Sequence, residues 1–175
     1  MTIARRELYQ GRVLDLGLES HLLPDGRHGD FEIIRHPGGA AVLPLLPDGR
    51  LLLIRQFRPA AGGMVVEIPA GRLEPGEAPA ACAARELEEE AGWRAGRLDK
   101  LGETFSAIGF CDERLHLFLG RDLTPVPAAP EADEFIEPLP VTLDGALALL
   151  AGGTLVDAKT QLALLLYQLS LASVR

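Results

Sequence analysis

What this chain lacks narrows it before anything else does. It has two cysteines, Cys82 and Cys111, in 175 residues. Two thiols support neither a disulfide framework nor a four-ligand zinc site. Positive charge is also short: 17 lysines and arginines stand against 25 acids, a net charge of −8. Non-specific nucleic-acid binding needs a basic footprint, so that class is excluded. No apolar run reaches the ~18 residues of a membrane span, and the start, MTIARRELYQGR, has no apolar leader core. The strongly apolar run from Leu162 to Leu166 is bracketed by Gln161 and Gln168. These absences predict a cytoplasmic protein in reducing surroundings, with neither nucleic acid nor membrane as partner. A phosphorylated small molecule stays open, because metal ions and a few arginines can set a local field. At this length, with 47% hydrophobic residues, one domain with a sizeable core and an appended arm is expected.

What is present centres on residues 71–93, GRLEPGEAPAACAARELEEEAGW. Pro75-Gly76 marks a turn. From Ala78 to Ala91 the residues are mostly Ala, Leu, Glu and Arg, all good helix formers. Gly92 stands where a helix stop belongs, and Pro79 fits in a first helical turn. Ala80, Ala83, Ala84, Leu87 and Ala91 predict a small-residue stripe packed on a sheet, with Cys82 as another packing residue. The opposite side carries Glu86, Glu89 and Glu90. Like charges at that spacing cost ~0.2–0.5 kcal/mol per pair. Such a face is either simply solvated or built for a cation. Carboxylates suit a hard divalent ion, Mg2+ or Mn2+. The set offsets of Gly71, Glu77 and Arg85 favour the cation.

The flanks read mostly as strands. Residues 1–38 form a strand-rich section: Val13, Leu14, Leu16 and Leu18 fall in an alternating stretch from Gly11 to Leu23, Pro24-Asp25-Gly26 turns, and Phe31 to Arg35 is a second strand. Ala40–Leu46 and Leu51–Phe57, separated by Pro47-Asp48-Gly49-Arg50, predict a hairpin. Arg55 and Arg58 then end a strand. They are either solvated or aimed at phosphate, whose oxygens an arginine fork binds in pairs. Glu67 interrupts the apolar strand Met64–Ile68. An acid there either faces solvent at an edge or serves the site next to Gly71. Leu101–Phe105 and Leu115–Leu119 are further strands, with His116 as a strand-face histidine. Asp122–Pro130 reads as a loop. The acids Glu131, Asp133 and Glu134 follow, then a strand with Phe135 and Ile136. A short helix from Asp144 to Leu150 stops at Gly152-Gly153. Asp157 caps a last helix, whose stripe is Leu162, Leu165, Leu166 and Leu169.

Gly71, Glu77, Arg85, Glu86, Leu87, Glu89, Glu90, Gly92 and Trp93 match the Nudix box, G-x5-E-x7-R-E-U-x-E-E-x-G-U with U apolar, at every fixed position. The chain therefore resembles a Nudix hydrolase, and its flanks resemble the nucleoside diphosphate sugar branch. The resemblance implies an α/β (α+β) sandwich with a mixed sheet, residues 39–175, and an antiparallel arm, residues 1–38, that builds a homodimer. It implies metal-dependent hydrolysis of a diphosphate bond, foremost ADP-ribose to AMP and ribose 5-phosphate. Glu86, Glu90 and Glu89, with the carbonyl of Ala70, would hold Mg2+, or alternatively Mn2+. Arg58, and beside it Arg55, would meet substrate phosphate; Glu67 would lie just outside or touch substrate. Glu134 would position or deprotonate water, with Glu131 and Asp133 as alternates. Phe31 would stack on the base or serve as a core aromatic. Arg85 and Glu77 would orient the loop and helix. Ile108 stands where the ADP-ribose branch usually has proline. GDP-mannose, a dinucleoside polyphosphate and an oxidised nucleotide are rival substrates. A catalytically silent nucleotide-sugar sensor would carry a damaged box, and this box is intact.

Overall fold

The computed structural model describes residues 2–130 and 134–172. The arm comes first, as β1 (Thr2–Gln10), β2 (Asp15–Leu22) and β3 (His28–Arg35). Next, β4 (Gly39–Pro44), β5 (Leu51–Arg58), β6 (Gly63–Glu67) and β7 (Ala70–Arg72) lead into α1 (Pro79–Ala91). After it run β8 (Trp93–Phe105), β9 (Arg114–Pro125), β10 (Ile136–Val141), α2 (Leu143–Ala151) and α3 (Ala158–Ala172).

Every residue of β4 is buried. A strand without a polar position is one covered on both faces. It lies inside a four-stranded sheet of order β7-β4-β9-β8, parallel to β9 and antiparallel to β7. Alternate side chains of β4 serve two cores. Ala40 and Val42 pack with Cys82, Ala83 and Leu87 of α1, while Ala41 and Leu43 pack with Ala163, Leu164 and Tyr167 of α3. The result is the expected α/β sandwich with a mixed sheet. A second sheet, β10-β5-β6, and the arm sheet, β1-β2-β3, are each three-stranded.

Several expectations need correction. The turn at Pro47–Arg50 forms, with Leu46 N–H donating to Arg50 O at 2.8 Å. Its two strands, however, meet only at the Leu45–Leu51 bridge and then part into different sheets. Both are apolar on both faces, so each can be buried among other partners instead of its neighbour. Thr2–Gln10 is a strand that the sequence did not announce, because every residue of it is exposed. In β2 the most deeply buried side chain is the acid Glu19, 0% exposed, while Val13 and Leu14 stand out in solvent. Strand β9 continues to Pro125, into the stretch read as loop. On α3 the buried face is Thr160, Ala163, Leu164 and Tyr167, with Leu165 and Leu169 exposed, so the leucine stripe is only partly the packing face.

Helix ends behave as their residues dictate. Pro79 opens α1, and Gly92 closes it at φ 69° with its N–H on Glu88 O at 3.1 Å. Asp157 caps α3 by accepting from Thr160 N at 3.0 Å. Thr142 caps α2 by accepting from Gly145 N at 3.1 Å.

Candidate active site

The face that α1 turns to the sheet is Cys82, Ala83, Glu86, Leu87, Glu90 and Ala91. Ala80 is exposed and Ala84 half-buried, so the apolar stripe is rotated from its expected line. The rotation brings two acids inward. Glu86 is 8% exposed and Glu90 only 4%, while the Glu89 side chain is 43% exposed. A merely solvated acidic face is thereby ruled out for two of the three.

The loop before the helix is fitted to these acids. Gly71 pairs with Ala40 across β7 and β4. A Cβ on Gly71 would run into the Glu86 carboxylate, so any side chain there would push Glu86 out of its place. Ala70 N–H donates to Glu90 Oε2 at 2.8 Å. Arg85 ties loop to helix: its Nε and Nη2 donate to Glu77 at 3.0 and 3.1 Å, and Nη2 also reaches Arg72 O at 3.2 Å. That contact, helped by the Glu74 amide, holds the Glu77 carboxyl down to about 2. The remaining nitrogen of Arg85, Nη1, donates to Glu86 at 2.6 Å and Glu89 at 3.0 Å.

Charge is in excess here. Burial, with Glu86 and Glu134 nearby, pushes Glu90 up to about 8, against the pull of the Ala70 amide. Burial also raises Glu86 against Arg85, and Glu89 and Glu134 add to the effect. Glu134 thus stands close enough for its charge to be felt by both buried acids. Glu131 and Asp133 lie outside the described residues. As placed, the acids form no ready cage: among the described residues, no three Asp, Glu, His or Cys side chains are set to hold one ion. Arg85 meanwhile draws two of them. The donor chemistry, buried carboxylate oxygen in surplus, nevertheless fits a hard divalent cation.

A second group of charges borders the first. Arg58 forks onto Glu67 through Nε at 2.8 Å and Nη2 at 3.0 Å. Glu67 is 3% exposed. Lys159 Nζ donates to the same carboxylate and to Asp157 Oδ1 at 3.0 Å. Burial pushes the Glu67 carboxyl up, but the Arg58 bonds and the Lys159 charge outweigh it and leave it below the ordinary range. Arg58 also feels the charges of Glu90 and Asp157. Gln56 shares the strand face of Arg58 and is 3% exposed; among the described residues its Oε1 has no hydrogen-bond partner.

Two sequence candidates do not join this group. Arg55 is on the opposite face of β5 and reaches Glu137 at 3.3 Å. Its partner Glu137 lines an open hollow of ≈480 Å³ together with Phe57, Met64, Phe135 and Ile136. Phe31 is 44% exposed on the arm, edge-on to His21 at 5.8 Å, and so is not a core aromatic. Gln56 was given no role from sequence, and Lys159 none at the site. A glutamine among buried strand residues and a lone lysine in an apolar helix are the signals that could have found them.

The sequence profile described as NUDIX domain matches residues 35–157. Over 170 residues the chain is 42% identical to the ADP-ribose pyrophosphatase of Bacillus subtilis (strain 168), covering 96% of this chain and 92% of that protein. The chain belongs to the Nudix hydrolase family. The Nudix box found in the sequence is therefore the loop and helix just described, and metal dependence is a general property of such enzymes. This Nudix hydrolase is also 36% identical over 170 residues to the methanol dehydrogenase activator of Bacillus methanolicus, with 96% and 92% of the two chains covered. A crystal structure of an ADP compounds hydrolase superposes with a TM-score of 0.87 at 21% identity, covering 99% of this chain and 95% of that one. That last likeness shows the fold.

Proposed function

We propose that this Nudix hydrolase cleaves ADP-ribose with water to AMP and ribose 5-phosphate, using Mg2+, with Mn2+ as an alternative ion. The observation that carries the chemistry is the buried Glu86–Glu90 pair, with Glu86 packed where a side chain on Gly71 would displace it. The choice of sugar nucleotide rests on the likeness to the Bacillus subtilis enzyme over nearly the whole chain. Glu86, Glu90 and Glu89, with the carbonyl of Ala70, would hold the metal, which when bound polarises the diphosphate and activates water. Arg58 binds diphosphate oxygens and offsets the charge that builds on them. Glu134 accepts the proton of the attacking water or fixes its position. Arg85 and Glu77 keep the loop in register with the helix.

The proposal extends to assembly. Residues 1–38 form a dimerisation arm on a hydrolase domain of residues 39–175, in a cytoplasmic homodimer. Ile3, Leu8, Tyr9, Val13 and Leu14 on the arm are all at least 40% exposed, as are Phe57 and Phe135 at the hollow. A second copy would cover such surfaces. Arg55, on the hollow's side of β5, is assigned to that contact.

The test is phosphate release with Mg2+ and a coupled phosphatase from ADP-ribose, GDP-mannose, UDP-glucose and diadenosine polyphosphates, with 8-oxo-dGDP followed by chromatography. ADP-ribose should be preferred, and a chelator should abolish turnover. Preference for another compound would keep the hydrolytic site and move specificity to the arm and the 106–113 loop. Tight binding of one compound without turnover of any would make the protein a sensor and overturn the proposal.

A further inference from the structure

Glu67 is a buried carboxylate with two cations. Arg58 supplies two of its hydrogen bonds and Lys159 supplies a third. The cations are unlike in freedom. The Arg58 side chain is 40% exposed, while that of Lys159 is 12% exposed and also held by Asp157. Asp157 is itself fixed, because it accepts from both the amide and the hydroxyl of Thr160 at the start of α3. Thr160 Oγ1 in turn accepts from Ile68 N at 2.8 Å, so the helix end is stitched to the residue that directly follows Glu67. Lys159 is thus a fixed cation, and Arg58 a movable one.

That difference matters because one group has two claims on it. Arg58 points its fork at Glu67, yet the proposed function needs the same fork for diphosphate oxygens. If Arg58 were the sole partner of Glu67, leaving it would strand a buried charge, which is strongly unfavourable. A second, immovable cation removes most of that cost.

We propose that Lys159 is a positioning residue: it serves as the standing counter-ion of Glu67 and thereby releases Arg58 to the diphosphate of the substrate. This inference rests on the assignment of Arg58 to diphosphate binding. Lys159 itself touches no substrate. Its effect is to lower the cost of turning Arg58 outward, a cost that falls equally on bound substrate and transition state. Such a cost appears in KM and leaves kcat nearly unchanged.

The experiment uses the full chain as wild type, Lys159→Met, Lys159→Arg, Glu67→Gln and the Lys159→Met/Glu67→Gln pair. Two readings are taken: kcat and KM for ADP-ribose, and the affinity for inorganic pyrophosphate, a bare diphosphate. Lys159→Met should raise KM and weaken pyrophosphate binding roughly tenfold or more, with kcat within about threefold. Lys159→Arg should restore both. On the Glu67→Gln background, where no buried charge detains Arg58, adding Lys159→Met should change either reading by less than about twofold. Unchanged pyrophosphate affinity in Lys159→Met would overturn the inference, as would an equal loss on the Glu67→Gln background. A lowered Tm with unchanged KM would confine Lys159 to the fold and likewise overturn it. Absence of ADP-ribose turnover in the wild type would sink the substrate assignment alone, since pyrophosphate still reports on Arg58.

Discussion

Replacing Glu90 with glutamine should make the metal-free protein more stable and the enzyme inactive. The carboxyl is 4% exposed, and burial with neighbouring acids raises it to about 8 from an ordinary 4.5. A raised acid binds its proton more tightly in the folded state. The folded state is therefore penalised as pH climbs from 4.5, and the full penalty is reached above about 8. At ~1.36 kcal/mol per pH unit, the ceiling is ~5 kcal/mol. Local relaxation and water entry reduce this, and a gain of ~2–3 kcal/mol is expected for the variant. Glutamine keeps an oxygen for the Ala70 amide and carries no charge. Urea unfolding in chelator should therefore show Glu90→Gln more stable than wild type at pH 9, with the gap closing near pH 4.5. Added Mg2+ should stabilise the wild type and leave the variant unmoved. Turnover should fall at least ~100-fold through loss of a metal ligand. Near-normal turnover, or equal stability at pH 9, would refute the reasoning.

Three further outcomes are expected. Gly71→Ala puts a methyl into the Glu86 carboxylate, so Glu86 must swing away and kcat at saturating Mg2+ should drop ~100-fold. Glu19 is fully buried, and Arg35, then His21, hold its carboxyl at about 2 against burial. Its contribution is complete above an unfolded value of 4.5 and is lost as pH falls through about 2. Glu19→Gln should therefore cost ~3 kcal/mol at pH 7 by urea unfolding, and much less at pH 2.5. Asp157→Ala removes the cap of α3 and should lower stability by ~1 kcal/mol, a Tm drop of ~2–4 °C by calorimetry.

The Nudix box was legible because its spacing is rigid. A glycine, a distant salt-bridged pair and three acids at helical offsets leave few other structures. The sandwich followed from the family resemblance together with the count of apolar strands. Other features were hidden for physical reasons. A strand such as β1, exposed along its length, has no burial pattern to read. Strands apolar on both faces, such as β4 and β5, do not say which neighbour each will choose. Small residues on α1 left its inward direction loosely set, so the turn of Glu86 and Glu90 towards the sheet needed the structure. The meeting of Arg58, Glu67 and Lys159 joins positions far apart in sequence, and no local pattern encodes such a contact.

The 106–113 loop is laced to the end of β3, the last strand of the arm. Ile34 N–H donates to Phe110 O at 2.8 Å, and Asp112 N–H donates back to Ile34 O at 3.1 Å. The Asp112 carboxylate then takes Arg35 and the His36 amide, each at 2.8 Å. Loop and arm share these bonds, so neither can fray without breaking the other's. In hydrogen exchange the amides of Ile34, His36 and Asp112 should open as one cooperative unit, with a common rate and a common response to denaturant.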